Sequence, residues 1–99
     1  MKASAESFKD ISEKLKLIAH PVRLCILTGL ISSGECNVSY MKNCLNSPQS
    51  TISQHLQKLK AAGIVEGRRD GLEIYYRVVD QEVIDLVNFL FKDSFDFIP

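Results

Sequence analysis

"NSPQSTISQHLQKLKAAGIVEGRRDGLEIYYRV", residues 46 to 78, changes its hydrophobic period halfway along, and that change decides the fold. Up to Gly63 the apolar side chains Ile52, Leu56 and Leu59 recur at helical spacing. At about 100° per residue they fall within one narrow arc and must face a core. Beyond Gly63, the residues Ile64, Val65, Leu72, Ile74, Tyr76 and Val78 alternate with polar ones around Asp70-Gly71, a type I′ turn signal. The expectation is a helix followed at once by a β-hairpin. Ser47 is placed to be the N-cap of the helix with Pro48 at its first position, and Gly63 offers a left-handed stop.

The outer arc of this helix carries Ser50, Gln54 and Gln57, flanked by Gln49, Thr51, Ser53 and Lys58. Solvated helix faces more often carry Glu and Lys, whose charges add solubility and i,i+4 pairs. Uncharged polar residues are compatible with plain solvation, but they are also the types that read duplex DNA. Gln bonds bidentately to adenine N6 and N7, Ser and Thr reach bases or phosphates, and the Thr methyl can touch a thymine methyl.

The surroundings favour the DNA reading. Upstream, "ECNVSYMKNCL" sets Val38, Met41, Cys44 and Leu45 on one face of a short helix capped by Asn37 and ending at Asn46, so that a helix-turn-helix spans about 37–62. Downstream, the hairpin at about 64–79 stands where a wing would. Its Arg68, Arg69 and Arg77 are expected to hold phosphates or to enter the minor groove. Zero net charge hides an asymmetry: residues 42 to 77 carry six Lys or Arg, Lys42 among them, against three Asp or Glu, whereas residues 78 to 99 carry one against five. A basic middle points to a binding face better than the total does.

The rest of the chain reads as more helix. Phe8, Ile11, Leu15 and Ile18 mark a first amphipathic helix. "HPVRLCILTGLISSG" forms a second, with Pro21 in its first turn, Gly34 at its end, and Val22, Cys25, Ile26, Gly29 and Leu30 along one side. Asp80 can cap a last helix striped by Val83, Leu86, Val87 and Leu90. The fold class is therefore mainly α with a β-hairpin wing, in the order α-α-α-α-β-β-α, as a single domain over residues 1–99. His55 borders the apolar face beside Leu59 and reads as a packed or phosphate-donating histidine, and His20 as a local cap. Tyr75 and Tyr76 alternate, so one packs inward and the other points out.

With 99 residues, 45% apolar and 24% charged, the chain builds one small core, and a homodimer would bury more of it. The longest apolar run, "LCILTGLI", is far short of the roughly 20 residues a bilayer needs, so no membrane association is expected. Three cysteines without a C-x-x-C pair, behind a charged amphipathic N-terminus rather than a signal peptide, suit the reducing cytoplasm. No nucleophile with its base, Gly-rich phosphate loop or carboxylate pair suggests an enzyme, and no cofactor is expected. A function of another class is a protein-interaction module with the aromatic tail "FLFKDSFDFIP" as its adhesive patch.

The segments "LKLIAHPVRLCILTGL" and "GECNVSYMKNCLNSPQSTISQHLQKLKAAGIVEGRRDGLEIYYRV" resemble the ArsR/SmtB repressors over roughly residues 10 to 80. The resemblance implies a winged-helix homodimer joined through its first and last helices, at about 5–18 and 80–95, and a palindromic double-stranded operator. Many such repressors release DNA on binding a metal or metalloid. Where the arsenic and cadmium types carry Cys-x-Cys, this chain has Asn37 and Ser39. Where the zinc and nickel types carry Asp and His on the last helix, "DQEVIDLVNFLFKDSF" has no histidine, so no metal site of either type is expected. Some relatives form a disulfide between the second and last helices, and this last helix has no cysteine. Cys25 and Cys44 read as small apolar residues, and Cys36, beside a helix start, as the exposed and activated thiol. Cys36 and Cys44 are the candidate redox thiols, or with Cys25 a set for arsenite. The expected inducer is a small molecule or a redox signal.

Overall fold

A computed structural model describes residues 4–41 and 44–92, apart from the side chain of Tyr40. Lys42, the interior of the expected third helix at 42–43, and the part of the expected dimer segment and aromatic tail beyond Lys92 lie outside the described residues.

Helix α1 (Ala5–Ile18) starts at Ser4, whose side chain accepts the Ser7 N–H. Helix α2 (Pro21–Ser33) starts where the sequence suggested: Pro21 takes the first position and His20 Nδ1 accepts the Val22 N–H at 3.1 Å. Gly34 closes it at φ +87°, a conformation that a side chain would strain. Because Ile26, Leu27 and Leu30 are all fully buried, α2 is the central helix of the core.

The next stretch departs from expectation. Instead of an α-helix from Val38 to Asn46, Cys36–Asn37 forms a short strand, β1, followed by single 3₁₀ turns at Val38–Met41 and Cys44–Asn46. Asn37, directly before the first of these turns, is buried and pairs with Tyr75 across the ladder. Strand pairing outcompetes a helix whose opening residues Asn37, Val38 and Ser39 are weak helix formers. Leu45 and Asn46, at φ +50° and +58°, then turn the chain.

Helix α3 (Gln49–Ala61) begins one residue later than expected. Pro48 holds the cap position in an extended conformation without a side-chain cap, so Ser47 lies outside the helix. Its end is as expected. With Gly63 at φ +77°, the Gly63 N–H reaches Lys60 O at 2.9 Å and the Ile64 N–H reaches Leu59 O at 3.0 Å, the paired bonds of a Schellman stop.

Strands β2 (Val65–Asp70) and β3 (Glu73–Val78) form the hairpin, and β1 adds to the other edge of β3 to give a sheet in the order β1-β3-β2. Asp70 pairs with Glu73, so the turn residues are Gly71 and Leu72. Only Gly71 has positive φ, at +67°, which is the sign pattern of a II′ turn rather than the expected I′. The apolar alternation therefore breaks at Leu72, which is 99% exposed at the tip. Helix α4 (Gln81–Phe91) is capped by Asp80, whose carboxylate accepts the Val83 N–H at 3.2 Å.

One core joins Ile26, Leu27 and Leu30 of α2 to Ile52, Leu56 and Leu59 of α3, Ile64, and Val83 and Val87 of α4. Only Ile18 of the apolar stripe of α1 joins it: Phe8, Ile11 and Leu15 are 68%, 50% and 47% exposed, and Phe89 and Leu90 of α4 are also bare. Lys14 ties α1 to the start of α4 through Asp80 at 2.8 Å and Glu82 at 2.9 Å. Among the described residues no single helix is long and apolar enough to cross a membrane.

Candidate nucleic-acid interface

Helix α3 is divided as its sequence demanded. Ile52, Leu56 and Leu59 are fully buried, while Gln49, Ser50, Gln54, Gln57 and Lys58 are exposed and Thr51 and Ser53 sit at the border. The exposed surface between Gln49 and Gln57 holds only hydroxyl and amide side chains. It has donors and acceptors that suit base edges, and short side chains that let a helix lie deep in a groove.

Besides its buried apolar residues, α3 is held by a side chain of α2. Arg23, on α2, is only 9% exposed. It donates through Nε to His55 Nδ1 of α3 at 3.0 Å and through Nη1 to Leu17 O, near the end of α1, at 2.8 Å. The cation thus sits where the helix dipole of α1 is negative and carbonyls lack partners. His55 packs its ring 4.5 Å from that of His20, as its place beside the apolar face suggested. Partial burial, with His20, Arg23 and Lys58 close by, holds the His55 imidazole below its ordinary value, so Nδ1 stays free to accept. One charged residue in the otherwise apolar run "HPVRLCILTGL" was the signal for this tie.

The hairpin sorts its charges by face. Cross-strand partners put Glu66 with Arg77, Arg68 with Tyr75, and Asp70 with Glu73 on the outer face. Val65 with Val78, Gly67 with Tyr76, and Arg69 with Ile74 share the face that covers the helices. A Cβ at Gly67 would lie 3.0 Å from Ile74 Cγ2 and 3.2 Å from the buried Tyr76 ring, so the inner face is packed tightly there. Arg68 forms a two-pronged pair with Glu35, at 3.2 and 2.7 Å, and its guanidinium lies 5.2 Å from the centre of the Tyr75 ring. Arg77 directs Nε and Nη2 at one oxygen of Glu66, at 2.8 and 2.6 Å. Tyr76 is the buried tyrosine and Tyr75 the outward one.

Of the thiols, Cys36 differs from expectation. Cys36 is half-buried in β1, where burial pushes its thiol up against the smaller opposing effect of a hydrogen bond with Ser33, so it is neither exposed nor activated. Cys44 is pushed up to about 12 by burial and by the neighbouring thiols of Cys25 and Cys36. Among the described residues no three His, Cys, Asp or Glu side chains gather as a metal site.

A β-hairpin beside an exposed, uncharged helix face on a small helical core defines a winged helix-turn-helix protein, a class that regulates transcription by binding DNA. A helix-turn-helix domain family matches residues 18–68. The chain is 39% identical over 84 residues to the transcriptional repressor PagR of Bacillus anthracis, covering 85% of this chain and 84% of that one. It is 43% identical over 75 residues to the transcriptional repressor SmtB of Mycobacterium tuberculosis, covering 76% of this chain but only 55% of that protein's length. The crystal structure of PagR superposes with a TM-score of 0.77 at 38% identity, over 88% of this chain and 99% of that one. HlyU from Vibrio cholerae N16961 gives 0.82 at 27% identity, over 92% and 98%. The chain belongs to the ArsR/SmtB family of winged-helix DNA-binding repressors, which are regulators rather than enzymes.

Proposed function

We propose that this chain is a cytoplasmic repressor that binds a palindromic double-stranded operator as a homodimer, with α3 in the major groove and the hairpin as its wing. The observation that carries the reading is the exposed, uncharged polar face of α3 set against a fully buried opposite face. In this reading Gln49, Ser50, Thr51, Ser53, Gln54, Gln57 and Lys58 meet bases and nearby phosphates, and the wing supplies backbone contacts. The bare apolar stripe of α1, with Phe89 and Leu90 of α4, is the dimer surface.

Release is assigned to an inducer other than a metal held on the last helix, with thiol chemistry at Cys36 and Cys44 as the candidate. Both thiols are held protonated, so an oxidant or metalloid must first displace a proton. Oxidant-driven release that persists in a Cys36→Ser protein would remove Cys36 from that role. The DNA-binding reading is tested by titrating a palindromic duplex, obtained by selection from random sequence, at several salt concentrations. Affinity should fall with salt by several ions' worth. A slope of about one or less would show that the wing does not clamp phosphates.

A further inference from the structure

The outer face of the sheet is not built like a phosphate-binding surface, although it carries two of the three wing arginines. Four carboxylates, those of Glu35, Glu66, Asp70 and Glu73, stand on or against it, facing two guanidiniums. The pairs are close: Glu35 takes Arg68 with both oxygens, the second at 2.7 Å, and Glu66 takes Arg77 at 2.6 Å. Asp70 adds a second carboxylate 3.8 Å from Arg68. An open basin of about 440 Å³ lies among Glu35, Glu66, Gly67, Arg68, Tyr75 and Arg77, lined by both ion pairs. A polyanion approaching this face meets a net negative field, and each guanidinium already has an oxygen partner placed as a phosphate oxygen would be.

Arg69 differs on every count. Its cross-strand partner is Ile74, so it projects on the sheet face that α3 packs against. It is exposed and forms no ion pair among the described residues. At the tip beyond it stands Leu72, fully exposed.

Taking the DNA-binding reading above as its premise, we infer that Glu35 and Glu66 act as internal phosphate surrogates. They hold Arg68 and Arg77 on the sheet face turned away from α3, and Arg69 is left as the wing's phosphate-binding cation. The acidic partners thereby limit the non-specific share of affinity. A wing with three free arginines would bind any duplex, whereas one free arginine per wing leaves discrimination to α3.

The test measures the salt dependence of duplex binding for the wild-type chain and for Arg68→Gln, Arg69→Gln, Arg77→Gln and the double variant Glu35→Gln/Glu66→Gln, each on a selected operator and on random duplex. Circular dichroism and thermal melts verify that each variant is folded. Arg69→Gln should lower the slope of log affinity against log salt by about 0.9 for each wing on the DNA, while Arg68→Gln and Arg77→Gln leave it unchanged. The double glutamate variant should bind random duplex several-fold more tightly with a steeper slope, and so lose specificity ratio. Slope losses for Arg68→Gln and Arg77→Gln as large as for Arg69→Gln would overturn the inference, and so would a double variant that binds random duplex no better than wild type. A wild-type chain without salt-dependent duplex binding would overturn the DNA-binding reading itself, a result distinct from either.

Discussion

At the scale of single residues, the proposed reading of DNA rests on the exposed amides and hydroxyls of α3. Gln54 lies at the centre of the exposed arc, where an amide can pair with both N6 and N7 of an adenine. Gln54→Ala should weaken binding to the selected operator by about 1 to 3 kcal/mol and leave binding to random duplex almost unchanged, as read by competition titration. Equal losses on both would make Gln54 a backbone contact. The position of Gln54 was legible because helical geometry ties its direction to Ile52, Leu56 and Leu59. The partners of Arg68 and Arg77 were not legible in the same way. Strand alternation does place Glu66 beside Arg77, but Glu35 reaches Arg68 from the far edge of the sheet, across β3, and no spacing in the sequence reveals that.

At the scale of elements, the helices whose ends carry strong punctuation were legible: Pro21 and Gly34 bound α2, Gly63 ends α3 and Asp80 starts α4. The stretch from Cys36 to Asn46 was not, because a two-residue strand gains its stability from β3, some forty residues away, and leaves no periodic trace. The tie between α2 and α3 has a consequence in pH. His55 must be neutral to accept from Arg23, and its imidazole is held below the ordinary 6.5. Its unfolded form therefore takes a proton first as pH falls, so the stability it contributes is full above about 6.5 and is lost as pH drops through the lowered folded value. Melting temperature followed from pH 8 to about 5 should decline over that window in the wild type. In His55→Gln, whose amide oxygen can accept from Arg23 without titrating, the curve should be flatter. A wild-type curve parallel to that of the variant would show that the histidine is not a stability-linked group.

For the whole molecule, the contrast between a closed core and a bare first helix is the chief fact. Leu15 is 47% exposed on the apolar stripe of α1 and contributes little to the core of its own chain. Leu15→Glu should leave the fold and its helical signal intact. Light scattering should then give the mass of a single 11.1 kDa chain where the wild type gives twice that, and affinity for a two-half-site operator should fall. A wild type that runs as a monomer would remove the dimer.

Arg23 fastens the end of α1 to α3, so in a dimer joined along α1 the distance between the two reading helices is fixed by the protein rather than by the DNA. Such an assembly works as a caliper with a single setting. One base pair inserted at the centre of the operator moves the second half-site by about 3.4 Å and turns it by roughly 35° around the duplex axis. With no slack between α1 and α3 to follow that turn, one half-site would lose its reader, and affinity for the lengthened operator would fall toward that of an isolated half-site.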